Sequence, residues 1–200
     1  STDRLSIGTV AGETGAGAAS VRAAFGRLET LGVLERGPRS GTYVRRIDLR
    51  EYVEALEVRA ALEETACRRA SNRLSAGDLA SLSDTAGRLE GNDAPGADLP
   101  GFAHLDAAFH MAIARAAGNR MLLRSLEQPH LVSHYMAAAS ALPEAALVWY
   151  LPQRVRHRDI VDALAARDAD AAGRLMRRHI LQLVDVIREK NPELEGGNRD

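Results

Sequence analysis

The chain has 200 residues, 46% of them hydrophobic, and a net charge of −1, which suits one moderate domain or two small ones with a substantial core. Its single cysteine, Cys67, excludes a disulfide framework and fits a reducing cytosol. No apolar run approaches the roughly 20 residues that span a bilayer, and no signal-peptide pattern opens the chain, so a cytoplasmic protein without a membrane partner is expected.

Charge is unevenly spread. Residues 1–46 carry seven arginines against four acids, which leaves the acidic excess to the remainder. A basic front on an acidic body points to the front as the part that meets a polyanion.

Residues 6–14 read as a short helix, with Ser6 as its cap, Ile7, Val10 and Ala11 on one face, and Gly15 at its end. Residues 20–31 form a clearer one: Val21, Ala24, Phe25, Leu28 and Leu31 recur at spacings of three and four, and Gly32 stops it. Two short strands, 33–36 and 42–46, flank Gly37-Pro38-Arg39-Ser40-Gly41. Helix, turn, helix, hairpin is the order of a winged helix-turn-helix, whose second helix enters the major groove.

The body is read as all helix. Helices are expected over 49–72 (capped by Asp48), 75–90 (capped by Ser75), 100–117, 120–141 with a bend near Pro129, 147–166, and 169–189 (capped by Asp168). No strand pattern follows Val44. The predicted class is mostly α: a winged helix-turn-helix over 1–47, an all-α antiparallel bundle over 48–192, and a flexible tail over 193–200.

Within the apolar, Ala-rich run 105–111, Asp106 and His110 sit four apart and share a helix face. Such groups need partners when buried. Spacing alone leaves two readings equally open, a metal site or an intrahelical hydrogen-bonded pair. His157 and His179 lie at equal distances before and after Asp168, the turn between the last two helices, which puts them at one height on neighbouring helices. One Asp and three His suit a first-row divalent ion, zinc first, with nickel or manganese as alternatives. His130 and His134 read as structural, His104 as surface, and Asn119 as a helix cap.

The run Ser20–Arg36, followed by Arg39-Ser40-Gly41-Thr42-Tyr43-Val44, resembles the DNA-binding domain of GntR-family bacterial repressors. The resemblance implies that the domain's first helix is missing here. It also implies that double-stranded operator DNA is met by Ser20, Arg22, Arg39, Gly41 and Thr42. The turn Gly17-Ala18-Ala19 departs from the family's polar set, which shifts weight to the wing and to DNA shape. Solvated helix arginines and a wing that only packs are the plainer alternatives.

The body resembles the FCD effector domain of the FadR subgroup. It does so through Glu57-Val58-Arg59-Ala60-Ala61-Leu62-Glu63, Asp106 with Phe109-His110, Ala117-Gly118-Asn119, 157–164, and Met176-Arg177-Arg178-His179. The resemblance implies that Asp106, His110, His157 and His179 hold the metal ion. It further implies a homodimeric, ligand-responsive transcription regulator sensing a small carboxylate effector. Arg59 either meets that effector through its planar fork of donors or pairs with Glu63 at i+4. A metalloenzyme (hydrolase or non-haem oxygenase) and a pure metal sensor are the alternatives; an enzyme is not expected.

Overall fold

The computed structural model describes residues 4–37, 41–91, 99–138 and 154–194. Contacts divide the chain into two compact units, Ser1–Asp48 and Leu49–Asp200.

In the first unit, strand β1 (Arg4–Leu5) leads into helix α1 (Ile7–Thr14), helix α2 (Ala18–Thr30) and the hairpin β2 (Leu34–Gly37) and β3 (Gly41–Val44). The Ser6 hydroxyl accepts from Thr9 N at 3.0 Å and starts α1, and Gly15 ends it at φ 69°. The sheet has the order β1-β3-β2, all antiparallel, with Arg4 opposite Tyr43 and Leu34 opposite Val44. β1 is a third strand that periodicity could not reveal, because two residues carry no alternation. Val21, Phe25 and Leu34 form the core, with Leu5, Ile7, Val10, Ala11, Leu28 and Val44 against it. At Gly41 an added Cβ would lie 2.7 Å from the Tyr43 ring, so glycine is what lets the hairpin close over that ring.

The second unit is helical: α3 (Leu49–Ala70), α4 (Ala76–Gly91), α5 (Leu99–Ala116), α6 (Arg120–Ala138), α7 (His157–Ala165), α8 (Ala169–Lys190) and a 3₁₀ turn at Pro192–Leu194. α3 packs against α8, α6 and α5, which makes it the central helix. Its buried face explains this: Tyr52, Val53, Leu56, Arg59, Ala60, Glu63, Ala66, Cys67 and Ala70 form one wide stripe. Ala66, Ala114, Ala117, Leu122 and Leu126 close one core cluster, where alanines let the helices approach.

Helix ends follow local chemistry. Ser75 and Asp78 make a reciprocal box, Asp78 N donating to Ser75 Oγ at 3.1 Å and Ser75 N to Asp78 Oδ2 at 2.8 Å. Asn119 Oδ1 accepts from Met121 N and Leu122 N, so Asn119 caps α6. Asp168 Oδ1 accepts from Ala171 N at 2.8 Å and starts α8. α6 continues through Pro129, and Ser133 Oγ donates to the Pro129 carbonyl at 2.9 Å.

One boundary differs clearly from expectation. The fifth helix of the body was expected from residue 147, but α7 begins at His157, and Arg156 before it is extended at φ −97°, ψ 161°. The cause is a set of polar clamps. Arg156 N donates to Asp159 Oδ2 at 2.7 Å, while the Gln182 carboxamide accepts from Val155 N at 3.0 Å and donates to Val155 O at 3.2 Å. These bonds hold the backbone out of the helix. The expected span 147–153, with Pro152, lies outside the described residues, as do Arg39 and tail residues 195–200.

Candidate metal centre

Asp106 and His110 project from α5, His157 opens α7, and His179 sits midway along α8. Each offers one ligand atom, and the four atoms lie within 4.8 Å of one another. Asp106 Oδ1 is 3.1 Å from His157 Nε2 and 3.5 Å from His110 Nε2. The rings of His157 and His179 have centroids 4.3 Å apart, and those of His110 and His179 5.4 Å. The equal offsets of the two histidines from Asp168 therefore do bring them together.

The donor set fits a divalent ion. Bonds of about 2.0–2.2 Å place neighbouring ligand atoms roughly 3–3.5 Å apart, and both measured Asp106 separations fall there. The tautomers fit as well. His179 Nδ1 donates to Val155 O at 2.9 Å, which leaves Nε2 as a bare acceptor. His110 Nδ1 donates to Glu63 Oε2 at 2.5 Å, which turns Nε2 toward Asp106 as the nitrogen that would meet an ion once its proton is displaced. Fixing a ligand histidine through its other nitrogen is the usual outer arrangement of a metal site. Phe109 packs edge-on against the rings of His110 and His157 and walls the cluster on its apolar side. Asp106 keeps 27% of its side chain exposed, so the cluster opens there.

Protein groups alone polarise the site strongly. Burial opposes a charged His110, but the Glu63 and Asp106 carboxylates outweigh it and raise its pKa to about 9. Burial would likewise raise Glu63 and Asp106, yet His110 with Arg59 holds Glu63, and His110 with His157 holds Asp106, well below the usual carboxylate range. Burial and the neighbouring His157 and His110 push His179 far down, which favours the neutral, metal-ready imidazole.

Residues 54–193 match the family model described as the FCD domain. The chain is also 32% identical over 188 residues to a "Probable D-xylose utilization operon transcriptional repressor" of Paenarthrobacter nicotinovorans, covering 91% of this chain and 78% of that one. The chain belongs to the FCD-domain regulators of the GntR type. The "HTH-type transcriptional regulator LutR" of Bacillus subtilis is 25% identical over 191 residues, covering 84% of this regulator and 83% of LutR. Among solved structures, "E. coli McbR/YncC" matches with a TM-score of 0.68 at 20% identity, over 99% of this chain and 89% of that one, and supports the fold. The family and these relatives are transcriptional regulators, not enzymes.

The structure also places the remaining candidates in this regulator. Arg59 is buried on α3, and its Nε donates to Glu63 Oε1 at 2.8 Å, so the i+4 pair is made. Ser20 and Arg22 are exposed on α2. Gly41 and Thr42 are both buried in β3, Thr42 at 6% exposure. His104 is exposed.

Two residues escaped sequence reasoning. Glu63 appeared only as a partner for Arg59, yet it also holds His110 and approaches His130 Nε2 to 3.1 Å. His130, buried, was read as structural because it flanks Pro129 and lacks a carboxylate at ligand spacing; Glu63 reaches it from another helix. The available signal was the stripe Tyr52, Leu56, Arg59, Glu63, where two opposite charges share an apolar face.

Proposed function

We propose that this FCD regulator holds a divalent metal ion on Asp106, His110, His157 and His179, and that the ion and Arg59 together seat a small carboxylate effector. The observation that carries the reading is the convergence of four ligand atoms within 4.8 Å from three helices. Three imidazoles and one carboxylate favour zinc, with nickel or manganese next. When bound, the ion supplies a Lewis-acidic anchor with open positions for carboxylate oxygens.

The chain's own residues do the rest. Glu63 and Val155 O orient two of the ligand rings. Arg59 and Tyr52 lie on the α3 face that feels Asp106: burial raises the Tyr52 phenol to about 12, lowered in part by Arg59 and raised by Asp106. A buried guanidinium, a neutral phenol and a metal form a seat for an anion. Operator DNA is met by the first unit, through the exposed Ser20 and Arg22 on α2 and through Arg39, while the buried Gly41 and Thr42 hold the shape of β3. A homodimer would present two such units to a two-fold operator. Effector binding changes operator affinity only where the effector binds the two states unequally.

Elemental analysis tests the site. His157→Ala and His179→Ala are expected to lose the bound metal of the wild type; unchanged metal stoichiometry in both overturns the reading. Calorimetric titration with small mono- and dicarboxylates, and with D-xylose as the comparison, tests the effector class. Arg59→Ala should weaken carboxylate binding by at least tenfold, more than it weakens folding, and sedimentation velocity should report a dimer.

A further inference from the structure

Glu63 is a carboxylate with 1% of its side chain exposed, in the middle of the central helix. Its two oxygens are used separately. Oε2 accepts from His110 Nδ1 at 2.5 Å, and Oε1 accepts from Arg59 Nε at 2.8 Å. His130 Nε2 lies 3.1 Å from Oε1, close enough for an ion pair. His110 is thus gripped from behind by Glu63, while its Nε2 faces Asp106 at 3.5 Å. The neighbouring ligands have different supports: His179 relies on a backbone carbonyl, and His157 Nε2 meets Asp106 directly. Glu63 is the side-chain carboxylate that joins the ligand cluster to Arg59.

Resting on the metal reading above, we propose that Glu63 is the positioning residue of the centre. By accepting from His110 Nδ1 and Arg59 Nε at once, it fixes His110 Nε2 as the metal-binding nitrogen and ties Arg59 to the occupied site. A metal-bound imidazole whose other N–H faces a carboxylate is a stronger and better-aimed donor. Truncating Glu63 to Ala leaves the ring free to rotate and leaves buried Arg59 without its anion, whereas Gln keeps an acceptor for the ring but not the charge. Glu63 touches neither the ion nor the effector; it acts through the two residues that do.

Zinc is the probe, titrated into the full chain against a chromophoric chelator. Glu63→Ala should bind zinc about 10- to 100-fold more weakly, the usual loss for an outer partner of a ligand histidine. Glu63→Gln, which keeps an acceptor for His110 Nδ1, should recover part of that loss. Leu126→Ala, fully buried in a separate core cluster, should lower Tm without changing zinc affinity. Long-range proton–nitrogen NMR of zinc-loaded wild type should show His110 with its proton on Nδ1 and zinc on Nε2, and this needs no variant to fold. Wild-type affinity in Glu63→Ala, equal weakening in Glu63→Ala and Leu126→Ala, or zinc on His110 Nδ1 overturns the proposal. If His157→Ala binds zinc like the wild type, the metal reading itself fails; if only the Glu63 arm fails, that reading stands.

Discussion

At the scale of single residues, His110 links chemistry to pH. Its pKa is raised to about 9 from the ordinary 6.5, so the stability it contributes when charged is fully present below pH 6.5. That contribution is lost as pH rises through 9. In chelator-treated protein, Tm is expected to fall between pH 6.5 and 9, and a His110→Asn variant to lack that fall in a thermal scan. Zinc must displace the proton from His110 Nε2, so binding near neutral pH should release about one proton. Calorimetry in buffers of different ionisation enthalpy reads this directly. Cys67 behaves oppositely. Burial, with Glu63 nearby, pushes its thiol far up, so it should resist iodoacetamide at pH 8 until the bundle unfolds. Labelling at the rate of a free thiol would contradict the burial.

At the scale of elements, most of the fold was legible because its cues are local. Ser6, Ser75, Asn119 and Asp168 act as caps within three residues of themselves, and a reader of sequence needs nothing more distant. Asp168→Ala should therefore cost about 1 kcal/mol of bundle stability in urea unfolding, the common loss for a helix cap. What stayed hidden was long-range. The extended Val155 ahead of α7 is held by Gln182, 27 residues away, and His110 is supported from outside by Glu63, 47 residues away. Periodicity carries no information about such pairs. The four proposed ligands sat between these cases. Asp106 and His110 share a helix face by spacing, and a shared turn put His157 and His179 in register, but their convergence with α5 needed three helices to pack.

At the scale of the whole molecule, metal and DNA are the two levers. A ligand at 100 times its Kd stabilises by about 2.7 kcal/mol. For a unit of this size that is roughly 5–10 °C in Tm. Excess chelator should lower the melting temperature of metal-loaded wild type by about that much, and leave His157→Ala unmoved in differential scanning fluorimetry. For DNA, affinity measured by fluorescence anisotropy should fall linearly with the logarithm of salt. Arg22→Ala should reduce that slope by about one if Arg22 meets a phosphate; an unchanged slope would return Arg22 to the solvated surface. Gly17, Ala18 and Ala19, at the cap and first turn of α2, offer few groups for base readout, so point changes in an operator should matter less there than changes in DNA stiffness.

The Gln182 carboxamide grips both the N–H and the C=O of Val155, much as a neighbouring strand would, and the same Val155 carbonyl accepts from His179 Nδ1. Deuterium uptake should expose this arrangement. The Val155 amide, in extended chain just before a helix, should exchange as slowly as amides inside α8, and Gln182→Ala should make it exchange fast. The same loss would free His179 to turn, so the clock of that one amide would report how firmly the ring is held. A side chain standing in for a strand makes the entry to α7 a latch whose opening can be timed.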